Sequence, residues 1–265
     1  MWKRCWDGCS LSAQSYKNHS GGSRRSTDRV TFVCNCMKRY EIAGLAVDME
    51  LSGRAELQAE PYRVPANGPA DITFTCDARR VLELNPHMET LDVAGYLGSG
   101  TIFARHLLRF QGTYLHASAV LLDGKAYLFS ANSGTGKSTH TEKWCRLFGA
   151  IYLNDDKPAL RRVDGTWMAY GTPWSGKHDL SSPTGAPLGG IAFLRRGEEN
   201  AIRPMTAAEA VPHLVHQSQH RMPKEWMEVQ LSLLDLLLRE VPVWELTCRN
   251  DDDAAILSHS VMCKG

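Results

Sequence analysis

The chain has 265 residues, of which 43% are hydrophobic and 22% charged, values typical of a soluble globular protein with one domain, or one domain and a small additional lobe. The formal net charge of +1 indicates neither a nucleic-acid partner nor binding to an acidic membrane surface. No apolar run reaches the roughly 18 residues of a membrane helix, and no secretory signal is visible, so we expect a cytoplasmic protein.

Residues 1–36 differ in composition from the rest of the chain. They are rich in Ser, Gly and basic residues, and we predict a disordered basic leader there. A basic arm that binds a partner is the alternative. Four of the eight cysteines, Cys5, Cys9, Cys34 and Cys36, fall in this segment. Their spacing fits no familiar zinc finger, so we interpret them as free thiols, with a zinc site as the second interpretation.

The region 37–90 predicts a small β-rich lobe. Short runs in which apolar and polar residues partly alternate occur at 42–51 and 71–76, on either side of a loop rich in Pro and Gly. A helix is predicted over 91–109, because apolar residues recur there at helical spacing. We therefore place the main domain at 91–265.

The middle of the chain predicts a hairpin that leads into a glycine-rich loop and a helix. Asp123-Gly124 favours a two-residue hairpin turn, because Gly tolerates a positive φ. Gly149 is expected to end the helix. In chain order, the predicted elements are a strand at 116–122, a strand at 125–129, a loop at 130–136 and a helix at 137–148.

The remaining predicted elements include both strands and helices. Thr206 and Glu209 form a capping box, which marks the start of a helix. The acids that follow Asn250 are expected to begin the last helix, since negative charge is favourable at a helix N-terminus. The other elements are a strand at 150–153, a hairpin of 157–162 and 166–170, a loop at 171–177, a strand at 190–194, helices at 206–220 and 225–239, and a strand at 241–248.

A phosphate-binding loop is the main functional signal. Glycines let successive backbone N–H groups point at phosphate oxygens, and the helix that follows directs its N-terminal amides at the anion. A Lys offsets the phosphate charge, and a Ser or Thr hydroxyl binds magnesium. The alternative is a glycine-rich turn without this function. Ala131 stands where the usual pattern has its first Gly. We predict that ATP and Mg²⁺ are bound by Ala131, Asn132, Ser133, Gly134, Thr135, Gly136, Lys137, Ser138 and Thr139.

Two adjacent acids, Asp155 and Asp156, follow the next predicted strand. Adjacent side chains in a strand point to opposite faces, so we expect one carboxylate to face magnesium and the γ-phosphate and the other to face the acceptor or a structural partner. The candidate metal ligands are Ser138 and Asp155. Both acids are candidate catalytic residues, and the sequence does not choose which is the base. A solvated turn is the alternative interpretation.

Three further residues are weaker candidates. His116 lies on the strand that pairs with the one leading into the phosphate loop, so we include it as a catalytic candidate, with a packed core histidine as the alternative. Lys177 lies in a loop where a cation is able to meet phosphate oxygens, or is simply an exposed lysine. Trp174 is interpreted either as a stacking partner for a base or as a side chain packed under the loop.

Three segments, 116–120, 132–139 and 154–158, in this order resemble the catalytic domain of HPr kinase/phosphorylase. That family shares its core with ATP-dependent phosphoenolpyruvate carboxykinase. The stretch 171–177 is similar to a stretch in small HPr-kinase-like proteins, some of which phosphorylate a serine of a precursor peptide. The resemblance covers roughly residues 107–253.

The resemblance implies an α/β fold with a P-loop phosphoenolpyruvate carboxykinase/HPr-kinase-like mixed sheet and flanking helices, and the residue pattern adds the small β-rich N-terminal lobe. It implies an ATP-dependent kinase in which the acidic pair includes the base that activates a serine hydroxyl, with His116 nearby. Thr139 stands where HPr kinases usually have Glu, and their later Glu/Arg-rich signature has no clear match here. The sequence therefore does not decide whether the chain also catalyses phosphorolysis. Because ring-shaped assemblies occur among HPr kinases, a homo-oligomer also stays open.

The expected partner is a hydroxyl-bearing substrate, either a peptide, a small protein or a small molecule, and the sequence does not choose among them. A module that binds and senses ATP without transferring phosphate is the alternative function, and the intact acidic pair argues against it. Carboxykinase-like chemistry needs a larger chain and more metal ligands.

Overall fold

The computed structural model describes residues 37–132, 134–218 and 222–264. The predicted leader at 1–36, with its four cysteines, and Ser133 of the phosphate loop lie outside the described residues. The described residues all belong to one compact unit. None of the helices that they form combines the length and apolar character needed to span a bilayer.

A small three-stranded sheet opens the described part of the chain. Its strands are β1 (Lys38–Ile42), β2 (Leu45–Glu50) and β3 (Ile72–Thr75). β1 and β2 form an antiparallel hairpin, and β3 pairs with β2 in parallel. The predicted small N-terminal β-structure is confirmed. Two short helices in the same region, α1 (Gly53–Ala59) and α2 (Ala78–Leu84), were not predicted.

The helix α3 (Leu91–Leu107) packs against this small sheet and against the start of the larger one, as its predicted apolar spacing requires. Its N-terminus is capped by Thr90, whose side chain accepts a hydrogen bond from the Val93 amide at 3.2 Å. Tyr96 and Phe103 are buried on the side that faces the small sheet. The two sheets therefore share one apolar cluster through α3.

The larger sheet has nine strands among the described residues, in the order β4-β8-β9-β10-β6-β5-β7, with β12 on β10 and β11 on β12. β10 pairs in parallel with β6 and β12 and antiparallel with β9, so the sheet is mixed, as predicted. The strands are β4 (Gly112–Tyr114), β5 (Ala117–Leu122), β6 (Lys125–Ser130), β7 (Ile151–Asn154), β8 (Ala159–Val163), β9 (Thr166–Tyr170), β10 (Gly185–Arg196), β11 (Ala201–Pro204) and β12 (Val243–Cys248).

Helices cover both faces of this sheet, which confirms the mixed α/β fold class. Successive residues of a strand point to opposite faces. Leu128 accordingly packs in the cluster that contains the helices α5 (Ala207–Gln217) and α6 (Lys224–Glu240). Its neighbour Phe129 packs in a second cluster, on the opposite face of the sheet. That cluster contains residues of the helices α4 (Lys137–Phe148) and α7 (Asp252–Met262).

The register brings several chain segments to one edge of the large sheet. Ser130, the last residue of β6, is opposite Phe193 near the end of β10 and opposite Ala117 at the start of β5. Ala119 of β5 is opposite Asn154, the last residue of β7. The loops that leave β6, β7, β10 and β12 therefore emerge together, which is where open α/β sheets bind their ligands.

Candidate active site

The phosphate loop leaves β6 at this edge and turns directly into α4. Gly134 and Gly136 have φ values of 76° and 119°, in the region that glycine tolerates best. A Cβ atom on either residue would meet no atom within 4 Å, so the loop faces open space there. The first N–H groups of α4 have no partner inside the helix. The backbone therefore has the form of an anion-binding loop at a helix N-terminus.

Lys137 is the first residue of α4, and its side chain folds across the loop. Its ammonium group donates a hydrogen bond to the Ala131 carbonyl at 2.9 Å. Burial lowers the pKa of Lys137, and the nearby negative charge of Asp156 opposes that shift. The cation is thus held between the phosphate loop and the acidic segment, where it is able to contact both a phosphate group and a carboxylate.

Arg196, at the end of β10, is a site residue that the sequence reasoning missed. Its Nη2 donates to the Gly134 carbonyl at 2.5 Å, and its Nε lies 3.5 Å from the Thr135 carbonyl. The guanidinium thus adds a second positive charge beside the loop. The available signal was its position at the end of a strand that runs parallel to β6, because such strands end at the same edge.

Two clefts flank the phosphate loop. The larger, about 510 Å³, lies between the start of α4 and the segment that joins β12 to α7, and Thr139, Lys143 and Asn250 line it. The smaller, about 290 Å³, lies on the other side of Thr135, and its lining includes Asn132 and Gln217. Arg196 lines both clefts.

Asp156 forms a close group with two basic side chains. Its Oδ1 lies 3.1 Å from His116 Nε2, and its Oδ2 is ion-paired with Lys157. Burial alone would raise the pKa of Asp156, but the His116 hydrogen bond and the Lys157 charge outweigh burial and lower the pKa to about 2. The Asp156 side chain stays 22% exposed and that of His116 36% exposed. Asp156 is therefore an ionised carboxylate that solvent can reach.

Gln217, the last residue of α5, holds the other side of the His116 ring. Its Oε1 lies 2.9 Å from His116 Nδ1, and its backbone carbonyl accepts from the His116 amide at 2.7 Å. Its Nε2 donates to Asn132 Oδ1 at 3.3 Å. A continuous polar chain thus runs from Asp156 through His116 and Gln217 to the phosphate loop. No sequence pattern marked Gln217.

Asp155 has a different environment from that of its neighbour. The residue is only 7% exposed, and its Oδ1 accepts a hydrogen bond from the Gly176 amide at 2.5 Å. Burial raises the pKa of Asp155, while the amides of Gly176 and His178 partly offset that rise. A Cβ atom at Gly176 would lie 3.0 Å from Asp155 Oδ2, so the close approach favours glycine. Asp155 thus faces the 175–178 loop.

The two remaining sequence candidates lie in the segment after β9. Lys177 is exposed and makes no hydrogen bond or ion pair with any residue that the structure describes. Trp174 packs under the loop: it is 3% exposed, its ring stacks on Phe103 at 4.9 Å, and its Nε1 donates to Ser99 at 3.0 Å. Of the two interpretations of Trp174, the structure therefore supports packing.

The oxygen donors at this edge suit magnesium. Ser138 follows Lys137, and its hydroxyl makes no hydrogen bond with another described residue. Asp155 and Asp156 add carboxylates, and Mg²⁺ takes hydroxyl, carboxylate, phosphate and water oxygens, with few ligands from the protein. In the described part of the chain, no group of three or more His, Cys, Asp or Glu side chains forms a metal cluster. The residues present fit a magnesium ion that is shared with phosphate groups.

Comparisons with known proteins give a fold-level likeness. No protein-family model matches the chain, and no curated protein matches it. Among solved structures, the chain is similar to the HPr(Ser) kinase/phosphatase from Coxiella burnetii, with a TM-score of 0.35 and 11% identity over 57% of this chain and 88% of that one. This likeness is distant and concerns the fold alone.

Proposed function

We propose that the chain is an ATP-dependent phosphotransferase, a kinase that moves the γ-phosphoryl group of ATP to a serine-type hydroxyl of a peptide, a small protein or a small molecule. One observation carries the proposal. A phosphate loop with Lys137 at the start of a helix lies at the same sheet edge as Asp156, an ionised and partly buried carboxylate that solvent can reach. The acceptor class depends on the sequence resemblance.

Charge balance supports a triphosphate as the ligand of the loop. Lys137 and Arg196 place two positive charges at the phosphate loop, beside the free N–H groups of α4. Magnesium, held by Ser138 and one carboxylate, would offset further phosphate charge. The larger cleft beside the loop has a volume within the usual range for a small-molecule site, about 300–1,000 Å³, and we assign the nucleoside to it.

We assign the role of base to Asp156 rather than to Asp155. An acceptor hydroxyl must reach the base, and the Asp156 side chain is 22% exposed, whereas Asp155 is 7% exposed and faces backbone amides. A carboxylate with a pKa of about 2 is a weak proton acceptor. Phosphoryl transfer depends mainly on positioning and electrostatics, however, so orienting the hydroxyl is its main task. Asp155 is left as the candidate for magnesium.

Calorimetry and product analysis test the proposal directly. The purified chain should bind ATP with magnesium, and the Lys137→Ala variant should not. γ-Labelled ATP, with free serine and with a randomised library of serine-containing peptides, should yield a phosphorylated product. Binding without turnover in any mixture would instead support the ATP-sensing module. A folded chain that gives no heat of binding would refute both functions.

A further inference from the structure

The 175–179 segment touches the acidic pair on one side and the N-terminal part of the chain on the other. Gly176 makes both contacts. Its amide donates to Asp155 Oδ1 at 2.5 Å, and its carbonyl accepts from Arg54 Nη2 at 2.8 Å. Arg54 lies on α1, 122 positions earlier in the chain. One residue therefore connects the small-sheet region to an acid of the candidate site.

Three side chains from that region bind this segment, and we call Arg54, Gln58 and Tyr96 the clamp. The same Arg54 Nη2 also binds Asp179 Oδ1 at 2.6 Å, and Gln58 donates to the same oxygen. Tyr96 of α3 donates its hydroxyl to the Ser175 carbonyl at 2.5 Å. The Arg54 guanidinium lies 4.7 Å from the Tyr96 ring centroid, so it is also held by a cation–π contact.

The energetics of the clamp indicate a role in positioning more than in stability. The Arg54 and Asp179 side chains are 38% and 56% exposed, and exposed ion pairs add little to folding stability. The geometry is nonetheless specific, because one guanidinium joins a carbonyl and a carboxylate of the same turn. A displacement of about 1 Å at a reacting group is enough to slow a reaction 100-fold.

We propose that Arg54 is a positioning residue, which holds the 175–179 turn so that Gly176 keeps the Asp155 carboxylate in place at the reaction site. The inference rests on the proposed phosphotransferase function and deepens it. It assigns a task to the N-terminal region: α1 and α3 complete the site from outside the sheet that carries the phosphate loop. Asp155 itself is held by backbone groups, so its position depends on this turn.

The test compares Arg54→Ala with a matched control, Arg63→Ala. Arg63 lies in the same region and forms an exposed ion pair with Glu60. Turnover is measured with ATP as the varied substrate and the serine-peptide library as acceptor. We expect Arg54→Ala to lower kcat about tenfold or more, while the dissociation constant for ATP and the melting temperature stay close to those of the wild type. The control should match the wild type in every measurement.

A second variant and a second measurement separate positioning from a merely structural role. Gly176→Ala crowds the Asp155 carboxylate and leaves the Arg54 side chain itself unchanged, and it should lower kcat by a similar factor. Amide hydrogen exchange within 174–180 should become about tenfold faster in Arg54→Ala. An active wild type with Arg54→Ala equally active would overturn this inference alone. A wild type that binds ATP but transfers no phosphate to any acceptor would overturn the proposed function together with it.

Discussion

The phosphate loop and the acidic segment meet at one sheet edge, yet the chain builds them in different ways. The loop is set by neighbouring residues: two glycines with positive φ, then a helix that begins at Lys137. The acids depend on distant residues. Asp156 is held by His116, 40 positions earlier in the chain, and Asp155 by Gly176, 21 positions later. The phosphate loop with its lysine is thus encoded locally, whereas the acid site depends on the tertiary fold.

The largest effect is expected when the phosphate loop loses its lysine, Lys137. Lys137→Ala should abolish detectable phosphoryl transfer and weaken ATP binding strongly, because the loop loses the ammonium group that lies near Asp156 and that would offset the phosphate charge. Calorimetry and γ-labelled ATP measure the two effects. Lys224→Ala is the matched control, since that lysine is exposed and pairs with Glu228 on the surface. Undiminished transfer by Lys137→Ala would contradict the role of the loop.

The next test separates the two acids. Asp156→Asn should keep ATP binding and lose transfer by a factor of about 10²–10⁴, the usual contribution of general-base help. Asp155→Asn should lose less activity at saturating magnesium, because the variant keeps the base Asp156 and retains one side-chain oxygen at position 155. Single-turnover rates with saturating ATP compare the variants. Full transfer by both variants would show that neither acid is the base.

A third test concerns what anchors the phosphate-loop helix. His140 of α4 is 4% exposed, and its Nε2 lies 3.0 Å from the Ser258 hydroxyl of α7. Burial lowers the pKa of His140 to about 4, below the unfolded value of about 6.5. The unfolded chain therefore binds more protons between these values. The contribution of neutral His140 to the free energy of unfolding is therefore fully present above about pH 6.5 and is lost as the pH falls towards 4.

Between pH 7 and pH 5, this single group should lower the free energy of unfolding by about 2 kcal/mol, roughly 30-fold in the folding equilibrium. Urea unfolding at the two pH values measures the change. His140→Gln keeps an N–H donor for Ser258 but does not titrate, so its pH dependence should be weaker by that amount. An equal pH dependence in both proteins would mean that His140 does not contribute to acid sensitivity.

The smallest expected effect probes the polar chain between the two regions. Gln217→Ala removes the side chain that joins His116 to Asn132. We expect kcat to fall about tenfold at unchanged ATP affinity, because the His116 ring loses one of the two side-chain partners that orient it. Gln217→Glu, which retains an acceptor for His116 Nδ1, should recover part of the rate. If Gln217→Ala leaves kcat unchanged, the hydrogen bonds of Gln217 do not position His116.

The same contrast explains what the sequence could predict. The hairpin before the phosphate loop, the loop and α4 follow from glycine positions and apolar spacing, which are local. α1 (Gly53–Ala59) was missed because seven residues are too few to show a helical period, and its N-cap residue Ser52 makes no side-chain capping bond. Gln217 and Arg54 reach the site across 101 and 122 positions of the chain, and no local pattern carries such contacts.

The turn between β5 and β6 lies far from the candidate site, yet it sets the strand register on which the position of His116 depends. Asp123 and Gly124 have φ values of 50° and 75°, the geometry of a tight two-residue turn. That turn fixes Ala117 opposite Ser130, six residues and roughly 20 Å away. A slip of one residue would send every side chain of the strand to the other face. A one-residue slip of this hairpin would therefore turn the His116 side chain away from Asp156, although neither residue has changed.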